Sequence, residues 1–155
     1  MAKTNAVRIL DSNRIIYSLH TYEVDENDLS GITVAAKIDA DTDSVFKTLV
    51  ATGDKNGICV FCIPVTEELN LKKAAAASKN KKIELVKVKD LFNITGYIRG
   101  GCSPIGMKKR FPVYIDETAQ LFEEIYISAG IRGMQIKLSP LSLSNIIEGS
   151  YCDII

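Results

Sequence analysis

The sequence predicts a mixed α/β domain built on a largely antiparallel sheet of six or seven strands flanked by short helices. Three observations predict it. Short apolar runs rich in Val, Ile, Phe and Tyr recur between turn residues, as strands do. Two of these runs are joined by Gly53-Asp54-Lys55-Asn56-Gly57, a hairpin-type turn that makes its flanks antiparallel. The helical segments between strands are too short to act as the crossovers of a doubly wound parallel sheet. The 155 residues suit one domain, 1–155, and 46% hydrophobic residues suffice for a core without disulfide or metal staples.

The elements follow in order. Val7 and Leu10 lie on one side of a helix over Thr4–Leu10, and an alternating strand follows over Arg14–Tyr22. The polar segment Asp25–Gly31 reads as a loop, Ile32–Ile38 as a short helix and Asp39–Ser44 as an acidic turn. Val45–Thr52 and Ile58–Val65 form the hairpin strands. Asn70 caps an alanine-rich helix over Leu71–Ser78. Ile83–Val86 is a strand, Val88–Phe92 a helix, Phe111–Ile115 a strand and Thr118–Phe122 a helical turn. Glu124–Ser128 and Gly133–Leu138 are strands around the turn Ala129–Arg132. Ser139 followed by Pro140 opens a last helix that runs to about Ile147 and is stopped by Gly149.

Composition excludes several classes. No apolar run approaches the ~20 residues of a membrane span, and the first residues lack the apolar stretch of a secretory signal, so the cytoplasm is the expected location. Four cysteines in such a chain are expected as free thiols. Cys59 and Cys62 form a C-x-x-C, but residues three apart on a strand point to opposite faces and could not share a metal. Neither a metal nor a cofactor is expected. Net charge is zero, yet residues 71–112 carry eleven Lys/Arg against two Asp/Glu, a net of +9. Such a run is either a footprint for a phosphate backbone or a set of solvated lysines.

Conventional catalytic groups are scarce. The one histidine, His20, sits in an alternating strand and reads as a strand or edge residue, and no G-x-S-x-G or H-E-x-x-H occurs. Two features remain. The segment Thr95–Gly106 holds four glycines and a proline, so its amides could converge on an anion or polarised carbonyl; it could equally be an ordinary turn-rich loop. Lys47 lies in the otherwise apolar strand Val45–Val50, where a lysine either serves a ligand or guards a sheet edge.

Lys47-Thr48-Leu49, Leu71-Lys72-Lys73-Ala74-Ala75, the loop Thr95–Gly106 with Lys108-Lys109-Arg110 and Pro112, and Ser128-Ala129-Gly130-Ile131-Arg132-Gly133 occur in that order. Together they resemble the YbaK/EbsC family of Cys-tRNA(Pro) deacylases, free-standing relatives of the editing domain inserted in bacterial prolyl-tRNA synthetases. The match runs from His20-Thr21-Tyr22-Glu23 to the last helix. The resemblance implies a central, mixed, barrel-like sheet and hydrolysis of the ester joining cysteine to tRNA(Pro). It implies that Lys47 is the key pocket lysine, with Thr48 beside it. Gly100, Gly101, Ser103 and Pro104 match the substrate loop, Tyr22 a pocket tyrosine and Ser128 a pocket serine. Gln135 stands where some relatives carry aspartate, and Leu29 near a position where some carry phenylalanine; both bear on amino-acid preference. The substrate thiol attacks its own ester in the scheme the resemblance implies. Amides of Gly100 and Gly101 then face the carbonyl or ribose, and Lys72, Lys73, Lys81, Lys82, Lys108, Lys109 and Arg110 hold the acceptor stem. Prolyl-tRNA synthetase is a possible partner. Cys102, with no histidine nearby in sequence, is not expected to be a nucleophile. An Ala-tRNA(Pro) deacylase and a non-catalytic aminoacyl-tRNA or synthetase-binding module are the alternatives.

Overall fold

A computed structural model describes residues 3–155. Helix α1 (Asn5–Ser12) buries Ala6, Val7 and Leu10 on one face. Its cap is Thr4, whose Oγ1 accepts from Val7 N at 3.2 Å and donates to Ala129 O at 2.6 Å. The predicted first strand is confined to β1 (Tyr17–Thr21), and α2 (Gly31–Lys37) starts on the Ser30 cap. The hairpin is β2 (Phe46–Gly53) and β3 (Gly57–Pro64), in register from Phe46–Pro64 to Gly53–Gly57. Asn80 Oδ1 accepts from Lys55 N and Asn56 N at 3.0 and 2.8 Å and so holds the hairpin tip.

Helix α3 (Leu71–Ala77) has the expected Asn70 cap, which accepts from Lys73 N. Strand β4 (Ile83–Leu85) follows, and then α4 (Val88–Thr95), longer than expected and closed by Gly96 at φ +85°. Strands β5 (Val113–Asp116), β6 (Ile125–Ser128) and β7 (Met134–Leu138) precede α5 (Pro140–Ile147). The left-handed residue ending α5 is Glu148 (φ 52°), not the expected Gly149. Gly149 packs closely instead: a Cβ there would sit 3.0 Å from Ile115 Cδ1, which would have to give by a few tenths of an ångström. A further strand, β8 (Ser150–Cys152), was not expected. It is three residues long and exists only as a parallel partner of β5, so no local pattern marks it.

The strands form two sheets, β4-β2-β3-β5-β8 and β1-β7-β6. The class is mixed α/β and most pairings are antiparallel, with β3–β5 and β5–β8 parallel. The barrel implied by the resemblance is not closed. The sheets are joined at the isolated parallel bridge Val45–Tyr126, and β6 ends at Ser128, two residues beyond it. It is too short to continue along β2. On that same edge β4 pairs only with Ala51–Gly53. From Phe46 to Leu49, β2 therefore has no hydrogen-bonded strand partner on one side.

Both faces of the larger sheet are covered. Val60, Cys62, Val113 and Ile115 pack with α1 and the second sheet, while Cys59, Phe61 and Ile63 pack with Ala74 and Ala75 of α3. Each fully buried Ile or Leu here contributes on the order of 1.5–3 kcal/mol. Cys59 and Cys62 thus lie on opposite faces, as the strand pattern predicted.

Candidate functional site

The gap where the sheets part is a cleft of about 380 Å³. Consecutive residues Phe46–Leu49 line one wall, which is the unpaired edge of β2. Ser128 at the end of β6 and Gln135 in β7 form the opposite wall. Leu29–Ile32, at the start of α2, and Arg99, Gly100 and Cys102 of the glycine loop complete it.

The loop is shaped by contact with the Ala129–Gly133 turn. Arg132 Nε donates to Arg99 O at 2.8 Å, and Gly100 adopts φ +84°. A Cβ on Gly101 would lie 3.0 Å from both Arg132 N and Ile131 C, so only glycine fits there without displacing backbone. Gly101 N–H is engaged by Ile98 O at 3.0 Å. The expected pair of substrate-facing amides therefore narrows to Gly100, because a donor already bonded within its own turn is not free.

Of the residues singled out from sequence, the cleft brings together Lys47, Thr48, Gly100, Ser128 and Gln135. Tyr22 lines an adjoining recess that shares Leu29, Val34 and Gly100 with it. Ser103 and Pro104 stand apart. Ser103 is fully buried and its Oγ accepts from Ile105 N at 3.2 Å, and Pro104 lines a second cleft of about 400 Å³ behind the loop. Arg99, which also lines the cleft, belongs to both the glycine loop and the basic run but is not singled out as a site residue by the sequence. Its place in the glycine loop was the signal available for a site role.

Lys47 is half-buried, and its ammonium has no ion pair or hydrogen bond among the described residues. The lining contains Lys47 and Arg99 but no Asp or Glu, so the cleft is cationic. Ser128 Oγ accepts from Gly130 N at 3.2 Å, which leaves its O–H free to donate. Thr48 Oγ1 lies 4.0 Å from Cys62 Sγ. Burial pushes the Cys102 thiol up to about 12, and the Cys62 thiol likewise, so both are protonated near neutrality. Gln135 is 6% exposed, and its Oε1 has no partner among the described residues.

The two ends of the basic run pack on different faces of the larger sheet. Helix α3, with exposed Lys72 and Lys73, covers one face of the larger sheet. Lys108–Arg110 follow Ile105 and Met107, which pack on the core of the other face. Several of these cations are also engaged. Lys73 Nζ meets Asp153 at 3.0 Å, Lys108 Nζ lies 5.0 Å from the Phe92 ring centre, and Arg110 Nη2 donates to Ile146 O at 3.0 Å. Lys81 and Lys82 are exposed, and their backbone amides clasp Asp54 Oδ1 at 2.9 and 3.1 Å. His20 lies on the edge strand β1 as expected, with Nε2 2.9 Å from Ser18 Oγ and its ring edge-on to Tyr126.

Among the described residues no helix is long and apolar enough to cross a membrane. Residues 30–146 match the model of the aminoacyl-tRNA editing domain, and the chain belongs to that family. It is 47% identical over 152 residues to a protein of Enterococcus faecalis (strain ATCC 700802 / V583) named "Putative Cys-tRNA(Pro)/Cys-tRNA(Cys) deacylase EbsC". That match covers 98% of this chain and 93% of the relative. Among solved structures it is similar to "a putative trans-editing enzyme for prolyl tRNA synthetase", with TM-score 0.82, 20% identity and coverage of 99% and 98% of the two chains. A second solved structure, a hypothetical protein, has TM-score 0.88 at 17% identity and covers 97% and 99%. These two establish the fold alone.

Proposed function

We propose that this protein is a trans-editing hydrolase that removes cysteine from mischarged tRNA(Pro) in the cytoplasm. The observation that carries the reading is the cationic cleft at the seam between the sheets, which contains unpaired Lys47 and no protein group equipped to act as a nucleophile. An aminoacyl ester is already reactive, so positioning and charge stabilisation supply what its hydrolysis needs. The sulfur of the bound cysteine attacks its own ester carbonyl. The bond from that carbon to the ribose oxygen breaks, the ribose oxygen takes a proton, and water then opens the resulting thiolactone to free cysteine. Lys47 stabilises the negative charge that develops on the carbonyl or departing ribose oxygen. Gly100 N–H and the hydroxyls of Ser128 and Thr48 orient the ester. The name of the Enterococcus relative supports this substrate.

The tRNA acceptor stem is held through phosphates by lysines flanking the cleft. Because the basic residues are divided between two faces, a subset of Lys72, Lys73, Lys81, Lys82, Lys108, Lys109 and Arg110 carries this contact, and prolyl-tRNA synthetase supplies the choice of tRNA(Pro). The test is deacylation of Cys-, Ser-, Ala- and Pro-tRNA(Pro), with and without the synthetase. Rapid loss of cysteine with slow loss of serine is expected. Equal rates on Cys- and Ser-tRNA would overturn thiol attack, preference for alanine would favour an Ala-tRNA(Pro) deacylase, and tight binding without turnover a binding module.

A further inference from the structure

We infer that Gln135 Oε1 is the receptor for the α-amino group of the bound amino acid, an inference that rests on the aminoacyl-ester reading above. Gln135 sits in the middle strand of the smaller sheet, in register with Ser128 on one side and His20 on the other, and lines the cleft. Its side chain is more than nine-tenths buried, and Oε1 is the one buried side-chain N or O atom without a partner among the described residues. Folded proteins seldom leave a buried acceptor unmet, because its desolvation is then uncompensated. A site that does so at the wall of a cleft is completed by a donor from the ligand.

A cysteinyl ester brings two donors to this depth, the amine and the thiol. An S–H is a weak donor, and a sulfur that attacks as thiolate has no proton to give. The amine is the strong donor and is present in every aminoacyl ester. Charge points the same way. Lys47 and Arg99 line the cleft, and the carboxylates of Asp25 and Asp28 stand in the adjoining recess and not in the cleft itself, so beside Gln135 the neutral amine is favoured. An uncharged amide oxygen matches that neutral N–H donor. Lys47 remains available to the reacting oxygen. Gln135 thereby fixes one substituent of the α-carbon, which sets the direction in which the ester carbonyl faces Lys47 and Gly100.

The test compares tRNA(Pro) carrying cysteine with tRNA(Pro) carrying 3-mercaptopropionate, which keeps the thiol and ester and lacks the amine. Wild type, Gln135→Met and Gln135→Glu are each assayed on both. Loss of the amine is expected to lower kcat/KM of wild type about tenfold, the range of one hydrogen bond with an unmet partner left behind. Gln135→Met loses about as much on the cysteinyl ester and nothing further on the analogue. Gln135→Glu keeps an acceptor oxygen and restores dependence on the amine. Free Gln135→Met should also melt at or above the wild-type temperature, because an unmet buried acceptor has gone. An equal loss on both esters, or a clear drop in melting temperature, would overturn the inference. Binding of the corresponding non-hydrolysable 3′-amides of adenosine, with and without the amine, is measured by calorimetry. It decides the matter even if no ester is cleaved, an outcome that would remove the hydrolase reading but not this one. The same amine preference in wild type and Gln135→Met would be fatal to the inference.

Discussion

The two clefts on either side of the glycine loop are nearly equal in size, about 380 and 400 Å³, and differ in how their polar groups are satisfied. Behind the loop, Arg110 donates to Ile146 O and lies 3.7 Å from Glu148, while Asn5 Nδ2 donates to Gly106 O at 3.0 Å. Those cations and amides serve the fold. At the seam between the sheets, among the described residues, Lys47 has no partner and Gln135 Oε1 is unmet. Volume does not distinguish a working site from a structural crevice here. A buried polar atom left without a partner does, because its cost in the free protein is recovered only when a ligand arrives; Lys109 of the second cleft has no partner among the described residues but is exposed to solvent.

The comparison can be broken at its strongest point by Lys47→Ala. Loss of a group that stabilises developing charge should lower kcat/KM on Cys-tRNA(Pro) about 100-fold or more, with the melting temperature little changed. A fully active variant would remove Lys47 from the chemistry. Gly101→Ala should come next. Its Cβ meets backbone on the Ala129–Gly133 turn, so a loss of about 1–3 kcal/mol in denaturant unfolding is expected, as for overpacking elsewhere, together with reduced activity. Gly57→Ala is the control at positive φ with open space around it, and it should cost less.

A smaller effect is expected with pH. Burial raises Cys62 and Cys102 from 9.0 to about 12, so the folded state binds protons that the unfolded state has released in that interval. Stability is full below pH 9.0 and falls as pH rises toward about 12. Thermal melts from pH 8 upward should show this decline, and Cys102→Ala should flatten it while leaving deacylation within about threefold, since a neutral thiol is not a nucleophile. Strong inactivation of Cys102→Ala would return that thiol to the mechanism. Last, Arg110→Ala in the second cleft should leave kcat within about twofold and shift stability by no more than ~1 kcal/mol, as for other exposed pairs. A Lys47-like loss there would erase the distinction between the clefts.

Much of the site was legible in the order of residues. Lys47 was conspicuous as a charge in an apolar strand, the glycines of the loop as conformational punctuation, and the ordered segments as a family pattern. The two amides of the loop were not separable, since the bond from Gly101 N–H to Ile98 O depends on how the loop closes. Ser103 and Pro104, adjacent in sequence to Cys102, turn away from the seam cleft, and a list of consecutive residues cannot show where a loop reverses. The sequence left the basic run open as a phosphate footprint or a set of solvated lysines, because it does not say which faces those residues occupy. Sheet topology places α3 on one face and Lys108–Arg110 with the other.

Sequence alone determined the local elements, because caps, periodicity and turn chemistry act within a few residues: Asn70 and Ser139 cap as expected, and β2 and β3 pair through Gly53–Gly57. Tertiary structure alone decided that the barrel stays open. β6 stops at Ser128 just past its bridge to β2, and the unpaired edge left behind becomes a wall of the cleft. Strand length relative to a distant partner is a relation between segments some 80 residues apart in the chain. No local pattern encodes it, and it places Lys47 and Gln135 across one opening.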